Sequence, residues 1–199
     1  MLYARCLAAF SGRSPRRKAA AMSPGADARH VSPYSTREKV LRMLWSMTEP
    51  TLFRLSFHTW NGWRAWLLRR FGARIAPNCI IRRTVRVECP WNLAMERNAC
   101  LGDRAHAYCL GPVSLGMRAT VSQNVHLCAG SHDFSNPDMP LMRPPIVIGD
   151  DAWIGADSFV GPGVTIGSRC IVGARSVVVR DLPRDTVCVG HPAKPVRTR

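Results

Sequence analysis

The chain repeats a six-residue unit from Ile75 onward. Each unit opens with an aliphatic residue, and fourteen of the fifteen openers are Ile, Val, Leu or Met, with Ala107 as the exception. The openers are Ile75, Ile81, Val87, Met95, Leu101, Ala107, Leu115, Val121, Leu127, Ile148, Ile154, Val160, Ile166, Val172 and Val178. A fixed period of six residues is typical of a parallel β-helix. The sequence therefore predicts an all-β solenoid over residues 73–183, with about five coils of three units each.

Two further positions of the unit are restricted. Position five carries a small or branched side chain in twelve of the fifteen units, which predicts that it packs in the interior beside the opener. Position two is Gly in seven units, at residues 102, 116, 149, 155, 161, 167 and 173. We expect these glycines to turn tight corners, because Gly tolerates unusual backbone angles. The cysteines fit as small apolar fillers, and no C-x-x-C spacing occurs, so we expect reduced thiols in a cytosolic protein.

The departures from the six-residue period all follow the third unit of a coil. Two are two-residue excesses, after Val87 and after Ala107, and the third is a loop over residues 133–147. All three are predicted to leave from the same corner of the triangle. Long loops inside compact domains are usually functional. His132 stands at the root of this loop, and histidine is the side chain best suited to move protons near neutral pH.

The segments outside the repeat are predicted to cover its ends, because an open solenoid exposes unpaired strand edges. Residues 34–72 are predicted to form a helical cap in two pieces, capped at Ser35 or Thr36 and broken near Pro50. Residues 184–199 are predicted to form a tail over the last coil. Residues 1–33 are expected to be a disordered extension or one translated from too early a start, with Met22 closer to the true start, and a targeting peptide is the alternative.

The composition limits the partners. The formal net charge is +15, and residues 1–70 hold 13 basic and 3 acidic residues, but no nucleic-acid-binding module is recognisable. No apolar stretch reaches the 18 residues that would predict a transmembrane helix. Residues 45–70 are aromatic and basic, so an interfacial membrane contact is an alternative to a purely capping role. We therefore expect a cytoplasmic protein, with peripheral contact at the inner membrane face left open.

Five motifs carry a family resemblance. They are L-C-A-G-S-H-D-F (127–134), I-G-D-D-A-W-I-G-A (148–156), G-V-T-I-G (163–167), I-V-G-A-R-S-V-V-V-R-D-L-P (171–183) and V-G-H-P-A-K-P-V (189–196). Residues 71–197 resemble the left-handed β-helix acyltransferases of the hexapeptide family, and most of all the sugar O-acetyltransferases of the colanic-acid and exopolysaccharide type. The resemblance implies a homotrimer with sites between subunits, acetyl-CoA as co-substrate, no metal, and a free or lipid-linked saccharide as acceptor.

The resemblance also implies roles for individual residues. His132 matches the catalytic base, and a backbone N–H near the position-two glycines would stabilise the oxyanion. The positions that match the acetyl-CoA path are Trp153, Gly155, Ala156, Gly173, Ala174, Val179, Arg180, Lys194 and Arg197. Candidate acceptor contacts are Asp133, Tyr108 and Arg143. Two departures are that residues 107–109 lack the acceptor-binding Asn of the maltose and galactoside group, and that Val179 replaces the usual hydroxyl residue.

Three alternatives remain open at this point. The same fold hosts γ-type carbonic anhydrases, and His106, His126 and His132 could supply a zinc site. A non-catalytic scaffold is the second alternative. The third, and the runner-up to sugar O-acetylation, is acetyl transfer to the amine of a nucleotide sugar.

Overall fold

The structure is a computed structural model that describes residues 32–199, so nearly all of the predicted extension, residues 1–33, lies outside the described residues. Two helices precede the solenoid. Helix α1 spans Thr36–Thr48, runs into a π-helical turn at Glu49–Phe53, and is followed by helix α2 at Asn61–Arg70.

The solenoid has three sheets, here called faces A, B and C. Face A contains β1 (Arg74–Ile75), β4 (Leu93–Met95), β7 (Val113–Leu115), β12 (Ile146–Ile148) and β15 (Thr165–Ile166). Face B contains β2 (Ile80–Ile81), β5 (Cys100–Leu101), β8 (Thr120–Val121), β13 (Trp153–Ile154), β16 (Ile171–Val172), β18 (Thr186–Gly190) and β19 (Ala193–Thr198). Face C contains β3 (Arg86–Val87), β6 (His106–Tyr108), β9 (His126–Cys128), β14 (Phe159–Val160) and β17 (Val177–Val178). A separate hairpin joins β10 (Ser131–His132) to β11 (Leu141–Met142).

The chain visits faces A, B and C in order, and equivalent strands of successive coils pair in parallel, as Ile75 does with Met95 and Leu115 with Ile148. This confirms the predicted left-handed parallel β-helix. The solenoid also continues past residue 183. Leu182 bridges Ile166, and Cys188 pairs with Val172, so five full coils are followed by part of a sixth.

The predicted C-terminal tail is therefore part of the solenoid wall. β18 pairs in parallel with β16 and in antiparallel with β19, which extends face B by two strands. Residues 184–199 therefore cover the edge of the last coil on face B by strand pairing. Leu182 and Cys188 are six residues apart, as successive openers are, but Leu182 follows Val178 by only four residues. The interrupted period therefore hid this continuation of the solenoid.

The interior confirms the assignment of positions one and five. All fifteen openers are buried, at 6% exposure or less. Eleven of the twelve small or branched position-five residues are buried as well. The exception is Ser131, where the chain leaves the coil to enter the loop.

The position-two glycines are required for a different reason than predicted, because none of them has a positive φ. A Cβ atom at Gly149 would lie 2.5 Å from the backbone nitrogen of Ser168, and one at Gly167 would lie 2.4 Å from that of Arg184. The glycines therefore allow adjacent coils to approach closely.

The left-handed backbone stands at position four instead. Asn98, Arg118, Asp151 and Arg169, for example, have φ between +56° and +62°. The backbone N–H at this position donates to the preceding coil, as Arg118 does to the carbonyl of Arg97 at 3.0 Å. These turns close the A–B and B–C corners, whereas the excess residues leave from the C–A corner, as predicted.

Helix α1 lies along this C–A corner. Ser35 caps it by accepting a 3.2 Å hydrogen bond from the backbone of Glu38. Further along, Arg42 contacts Glu88 at 2.6 Å, and the indole of Trp45 donates to the carbonyl of Val87 at 2.6 Å. Glu49 then accepts a hydrogen bond from the backbone of Val87 at 3.2 Å. The helix thus fastens the cap to the corner from which the loop leaves.

Helix α2 covers the open end of the first coil. Leu67 and Leu68 belong to the core, and the guanidinium of Arg64 is fully buried. Arg64 donates to the carbonyls of Ile81, Phe57 and His58 at 2.6 to 2.8 Å, which supplies partners for a buried charge. The predicted break near Pro50 was misplaced, since the helical path continues through the π-helical turn and breaks over residues 54–60. Pro50 stands at the start of this π-helical turn, where its missing N–H interrupts the α-helical hydrogen-bond pattern.

Candidate active site

His132 lies at the base of the loop, where β10 pairs with β11. The hairpin aligns His132 with Leu141 and Ser131 with Met142. The Nδ1 atom of His132 lies 2.6 Å from the carbonyl oxygen of Met139. A carbonyl oxygen can only accept, so Nδ1 carries the proton and Nε2 presents its lone pair. The imidazole is exposed and therefore accessible to a substrate.

The loop that follows is held by its own hydrogen bonds. The Asp133 carboxylate accepts from the backbone and hydroxyl of Ser135 at 3.0 and 2.6 Å, and these bonds hold the pKa of Asp133 below its usual value. The backbone of Asp133 donates to the carbonyl of Pro140 at 3.0 Å. Asp133 is one of the predicted acceptor contacts, and its second carboxylate oxygen takes no part in these hydrogen bonds.

Arg143 is engaged with the cap. Its guanidinium forms an ion pair with Glu38 at 3.1 Å and lies 5.1 Å from the ring centroid of Tyr34. These partners come from helix α1 and the segment before it. In this structure Arg143 therefore ties the loop to the cap, a contact that the sequence did not predict.

Tyr108 lies on face C beside two stacked histidines. The rings of His106 and His126 are 4.7 Å apart at 23°, and Tyr108 meets both edge-on. Burial and the neighbouring His126 lower the pKa of His106 from 6.5 to about 4, and burial lowers that of His126. The Nε2 atoms of both histidines are buried without a hydrogen-bond partner among residues 32–199.

This pair, together with His132, was the basis of the zinc alternative. Within residues 32–199 no group of three or more His, Cys, Asp or Glu side chains is placed to hold a metal ion. The next residue in the same column is Arg86, and its positive charge further lowers the pKa of His106. The charge of Arg86 also opposes a cation at this position.

Trp153 lies on the outer side of face B. Its side chain is 50% exposed, and its indole nitrogen donates to the hydroxyl of Ser122 in the preceding coil at 2.8 Å. This bond fixes the plane of the indole against face B. Trp153 is thus available at the surface, as a residue on the predicted acetyl-CoA path must be.

The hydrogen bonds of the glycines beside Trp153 limit which backbone N–H groups could stabilise the oxyanion. The N–H groups of Gly155 and Gly173 donate to the next coil, to Val172 and Cys188, both at 2.8 Å. The N–H groups one position further on, at Ala156 and Ala174, have no partner within the described residues. Of these four N–H groups, only those of Ala156 and Ala174 are free to bind a developing negative charge.

The remaining predicted acetyl-CoA contacts lie toward the last coils. Arg180 follows β17 at the C–A corner, and Lys194 and Arg197 are on the edge strand β19. All three cations are exposed, which suits them to the phosphates of a nucleotide. Val179 is half-buried and offers no hydrogen bond from its side chain.

One chain does not bring the two halves of the predicted site together. His132 stands at the C–A corner, whereas Trp153 is on face B and Ala156 at the B–C corner. The width of face C separates these corners, which is roughly 15 Å for about five residues of extended chain. A single chain thus presents the base and the predicted oxyanion donor on different edges.

The sequence did not reveal the partner that orients His132. The carbonyl of Met139 acts through the backbone, so the residue type carries no signal. Ser122, which holds Trp153, was also missed. Its place could have been found from the repeat, because Ser122 and Gly155 both occupy position two in adjacent coils.

Comparison with known proteins agrees with this architecture. The family profile "Bacterial transferase hexapeptide (six repeats)" matches residues 145–180. The Escherichia coli (strain K12) protein named "Putative colanic acid biosynthesis acetyltransferase WcaF" is 43% identical over 156 residues, which cover 78% of this chain and 86% of the relative.

Two solved structures share the fold. A hexapeptide-repeat acetyltransferase of Vibrio cholerae, solved with acetyl coenzyme A, superposes with a TM-score of 0.73 at 25% identity, covering 85% of this chain and 92% of the other. A galactoside acetyltransferase in complex with coenzyme A also has a TM-score of 0.73, at 23% identity and 84% coverage of each chain. The second likeness supports the fold alone. From the repeat, the coil geometry and the 43% identity, we conclude that the chain belongs to the bacterial hexapeptide transferase family.

Proposed function

We propose that the protein transfers the acetyl group of acetyl-CoA to a saccharide hydroxyl in the assembly of an exopolysaccharide. The observation that carries this proposal is the 2.6 Å contact between His132 Nδ1 and the Met139 carbonyl, because it leaves Nε2 as a base in an exposed position. The relative named for colanic acid biosynthesis supports the substrate class. Cytoplasmic placement, where acetyl-CoA is made, belongs to the same proposal.

The reaction follows from these groups. Nε2 of His132 takes the proton of the acceptor hydroxyl as its oxygen attacks the thioester carbonyl. The Ala156 N–H stabilises the negative charge on the tetrahedral oxygen. The N–H groups of Gly155 and Gly173 do not, because they already donate to the next coil. The intermediate then expels the CoA thiolate, and His132 donates to it the proton that it had taken from the acceptor hydroxyl. The products are the acetyl ester and CoA, and no covalent enzyme intermediate forms.

We further propose that the site is shared between neighbouring subunits of a homotrimer. The support is the separation of His132 from Trp153 and Ala156 on one chain. A second copy can place its face B opposite the C–A corner of the first. Under this proposal Arg180, Lys194 and Arg197 bind the phosphates of CoA, and Asp133 and Tyr108 lie near the acceptor.

The first experiment is calorimetric titration of the protein with acetyl-CoA, followed by a transfer assay over a panel of saccharides. We expect binding that weakens in Arg180→Ala and Lys194→Ala, and acetylation at a hydroxyl. Absence of acetyl-CoA binding would overturn the proposal. Acetylation only at the amine of amino sugars would support the amine-directed alternative in its place.

Subunit mixing tests the shared site. His132→Ala and Trp153→Ala/Ala156→Pro are each expected to be inactive alone, because each removes one half of the site. Refolding the two together should restore part of the activity, since some interfaces then combine two intact halves. No recovery in mixed oligomers that sediment as trimers would contradict a shared site.

A further inference from the structure

The outer surface of the helical cap carries an unusual number of exposed apolar side chains. Ten of them are between 38% and 77% exposed, the largest value belonging to Leu55. We call this set the cap surface. It consists of Val40, Met43, Leu44, Met47, Leu52, Leu55, Phe57, Trp60, Trp63 and Trp66.

The exposed apolar residues of helix α1 and the residues that attach it to the solenoid lie on opposite faces of the helix. Glu38, Arg42 and Trp45 face the solenoid and contact it, whereas Met43 and Met47 are 57% and 66% exposed on the opposite side. An amphipathic helix normally buries its apolar stripe. Here the inner face is bound by polar contacts and one tryptophan, and the apolar stripe is left outside.

The aromatic part of the cap surface is held by contacts within the cap. Trp63 and Trp66 stack with their ring centroids 5.1 Å apart at 20°, and the indole of Trp63 donates to the carbonyl of Leu52 at 2.9 Å. The guanidinium of Arg70 lies 5.8 Å from the ring centroid of Trp66. These side chains are therefore held in the exposed position by defined contacts.

The charge around the cap surface has one sign. Residues 33–72 contain two acidic residues, Glu38 and Glu49, and both turn inward to bind Arg143 and the backbone of Val87. The exposed charged side chains in this range are all cationic. They are Arg37, Lys39, Arg54, Arg69 and Arg70.

This combination identifies the class of partner. Tryptophan prefers the interface between water and hydrocarbon, and Arg and Lys beside it attract anionic headgroups. No helix within residues 32–199 has the length and apolarity to cross a bilayer, so the protein would lie on the surface. We propose that the cap surface docks the protein on an anionic lipid bilayer.

Docking of this kind requires neither acetyl-CoA nor an acceptor, so it stands apart from the proposed function. A consequence for catalysis, which does rest on the proposed function, comes from the ion pair between Arg143 and Glu38. Because this pair joins the loop to helix α1, a docked cap holds the loop near the bilayer, where a lipid-linked saccharide would be found.

The test is co-sedimentation of the full chain with phosphatidylcholine vesicles that contain or lack phosphatidylglycerol. We expect binding to the phosphatidylglycerol vesicles at low salt and a weaker interaction as the salt concentration rises. Leu55→Ser/Trp60→Ser should lower the partition coefficient by at least about tenfold, because both side chains leave the hydrocarbon boundary. Met117→Ser, at an exposed methionine on the solenoid wall, is the matched control and should leave binding unchanged.

The charge contribution is tested in the same assay. Arg54→Glu/Arg70→Glu should reduce binding at least about tenfold, because each arginine near an anionic surface favours binding. Arg97→Glu/Arg104→Glu makes an equal change on the solenoid wall and should have a smaller effect. Acetyl-CoA titration and thermal melting of each variant establish that the fold and donor site are intact.

Three results would overturn the proposal. One is failure of the full chain to bind phosphatidylglycerol vesicles at low salt. Another is binding that survives both cap variants but is lost in Arg16→Glu/Arg17→Glu, which would assign it to the first 31 residues. The last is loss of self-association in Leu55→Ser/Trp60→Ser without vesicles, which would make a second copy the occupant. Loss of acetyl-CoA binding in every form would count against the proposed function alone.

Discussion

The Nδ1 atom of His132 lies 2.6 Å from the carbonyl oxygen of Met139, seven residues further along the same loop. The loop thus folds back to orient the histidine at its own root. This contact fixes which ring nitrogen is free, and the free nitrogen, Nε2, is the one that would act as the base.

Replacing His132 should abolish transfer without affecting the donor site. We expect His132→Ala to lower kcat/KM by about 100- to 10,000-fold, the usual contribution of a general base. Acetyl-CoA affinity, measured by calorimetry, should stay the same. His58→Ala, at an exposed histidine of the cap, is the control and should keep full activity. Equal loss in the two variants would count against His132 as the base.

The backbone of Met139 should act as a positioning group. Its φ of +45° is inaccessible to proline, so Met139→Pro must move the carbonyl away from His132. We expect kcat to fall by about 5- to 30-fold, as for one lost hydrogen bond of 1–2 kcal/mol, with KM for acetyl-CoA unchanged. Met139→Gly adopts this φ freely and should restore kcat. If Met139→Gly were as slow as Met139→Pro, the methionine side chain would be responsible instead.

Arg143 can be assigned to the acceptor or to the cap by comparison with its partner. If it acts through the ion pair with Glu38, Arg143→Ala, Glu38→Ala and the double variant should all reduce activity by the same factor. If Arg143 binds the acceptor, Arg143→Ala alone should raise KM for the saccharide. Steady-state kinetics on the three variants separate the two roles. We expect the first pattern, because the guanidinium is already bound to the cap.

The stability of the protein should depend on pH through His106. The unfolded chain protonates this histidine below about pH 6.5, whereas the folded protein does so only below about pH 4. Between these values the unfolded state binds more protons, so stability is lost as the pH falls through this window. Urea unfolding at pH 7.5 and 5 should show this loss.

His106→Phe removes the titrating group from the same position. Phenylalanine already stands at residue 159 in this column of face C, so the substitution is expected to pack. The variant should lose less stability between the two pH values. An unchanged pH dependence would place the titrating group elsewhere.

Substitution of two glycines by alanine should change the free energy of unfolding in opposite directions, one through the spacing of the coils and the other through the entropy of the unfolded chain. Gly149→Ala should destabilise the fold by about 1–3 kcal/mol, because the new Cβ meets the backbone of Ser168. Gly62→Ala, on α2, meets nothing within 4 Å and should stabilise by about 0.5–1 kcal/mol. Both free energies come from urea denaturation. A stabilising Gly149→Ala would show that the coils can move apart at little cost.

Much of the fold could be predicted because the repeat acts at every coil. Position one is buried without exception, so each opener, from Ile75 to Val178, reports the interior directly. The purpose of the position-two glycines could not be read in the same way. Their role depends on the distance between stacked coils, which is a property of the folded structure and is not visible in the sequence of one unit.

The site was less predictable than the fold. His132 could be found from its place at the mouth of the loop. The carbonyl of Met139 and the ion pair between Arg143 and Glu38 depend on the path of the loop and on the position of helix α1. Likewise, the apolar stripe of α1 predicts a helix, but which side faces the solenoid is decided by the contacts of Trp45 and Arg42.

The three corners of the coil differ in how much change they can absorb. At the A–B and B–C corners a left-handed residue such as Asp151 or Asp157 donates its N–H to the coil before it, so an inserted residue would break a bond and shift every strand that follows. The C–A corner already accommodates insertions of two and fifteen residues while faces A, B and C stay in register. If the loop contacts the acceptor, as we propose, new acceptor preferences can arise by lengthening this one edge while the three stacked faces stay as they are.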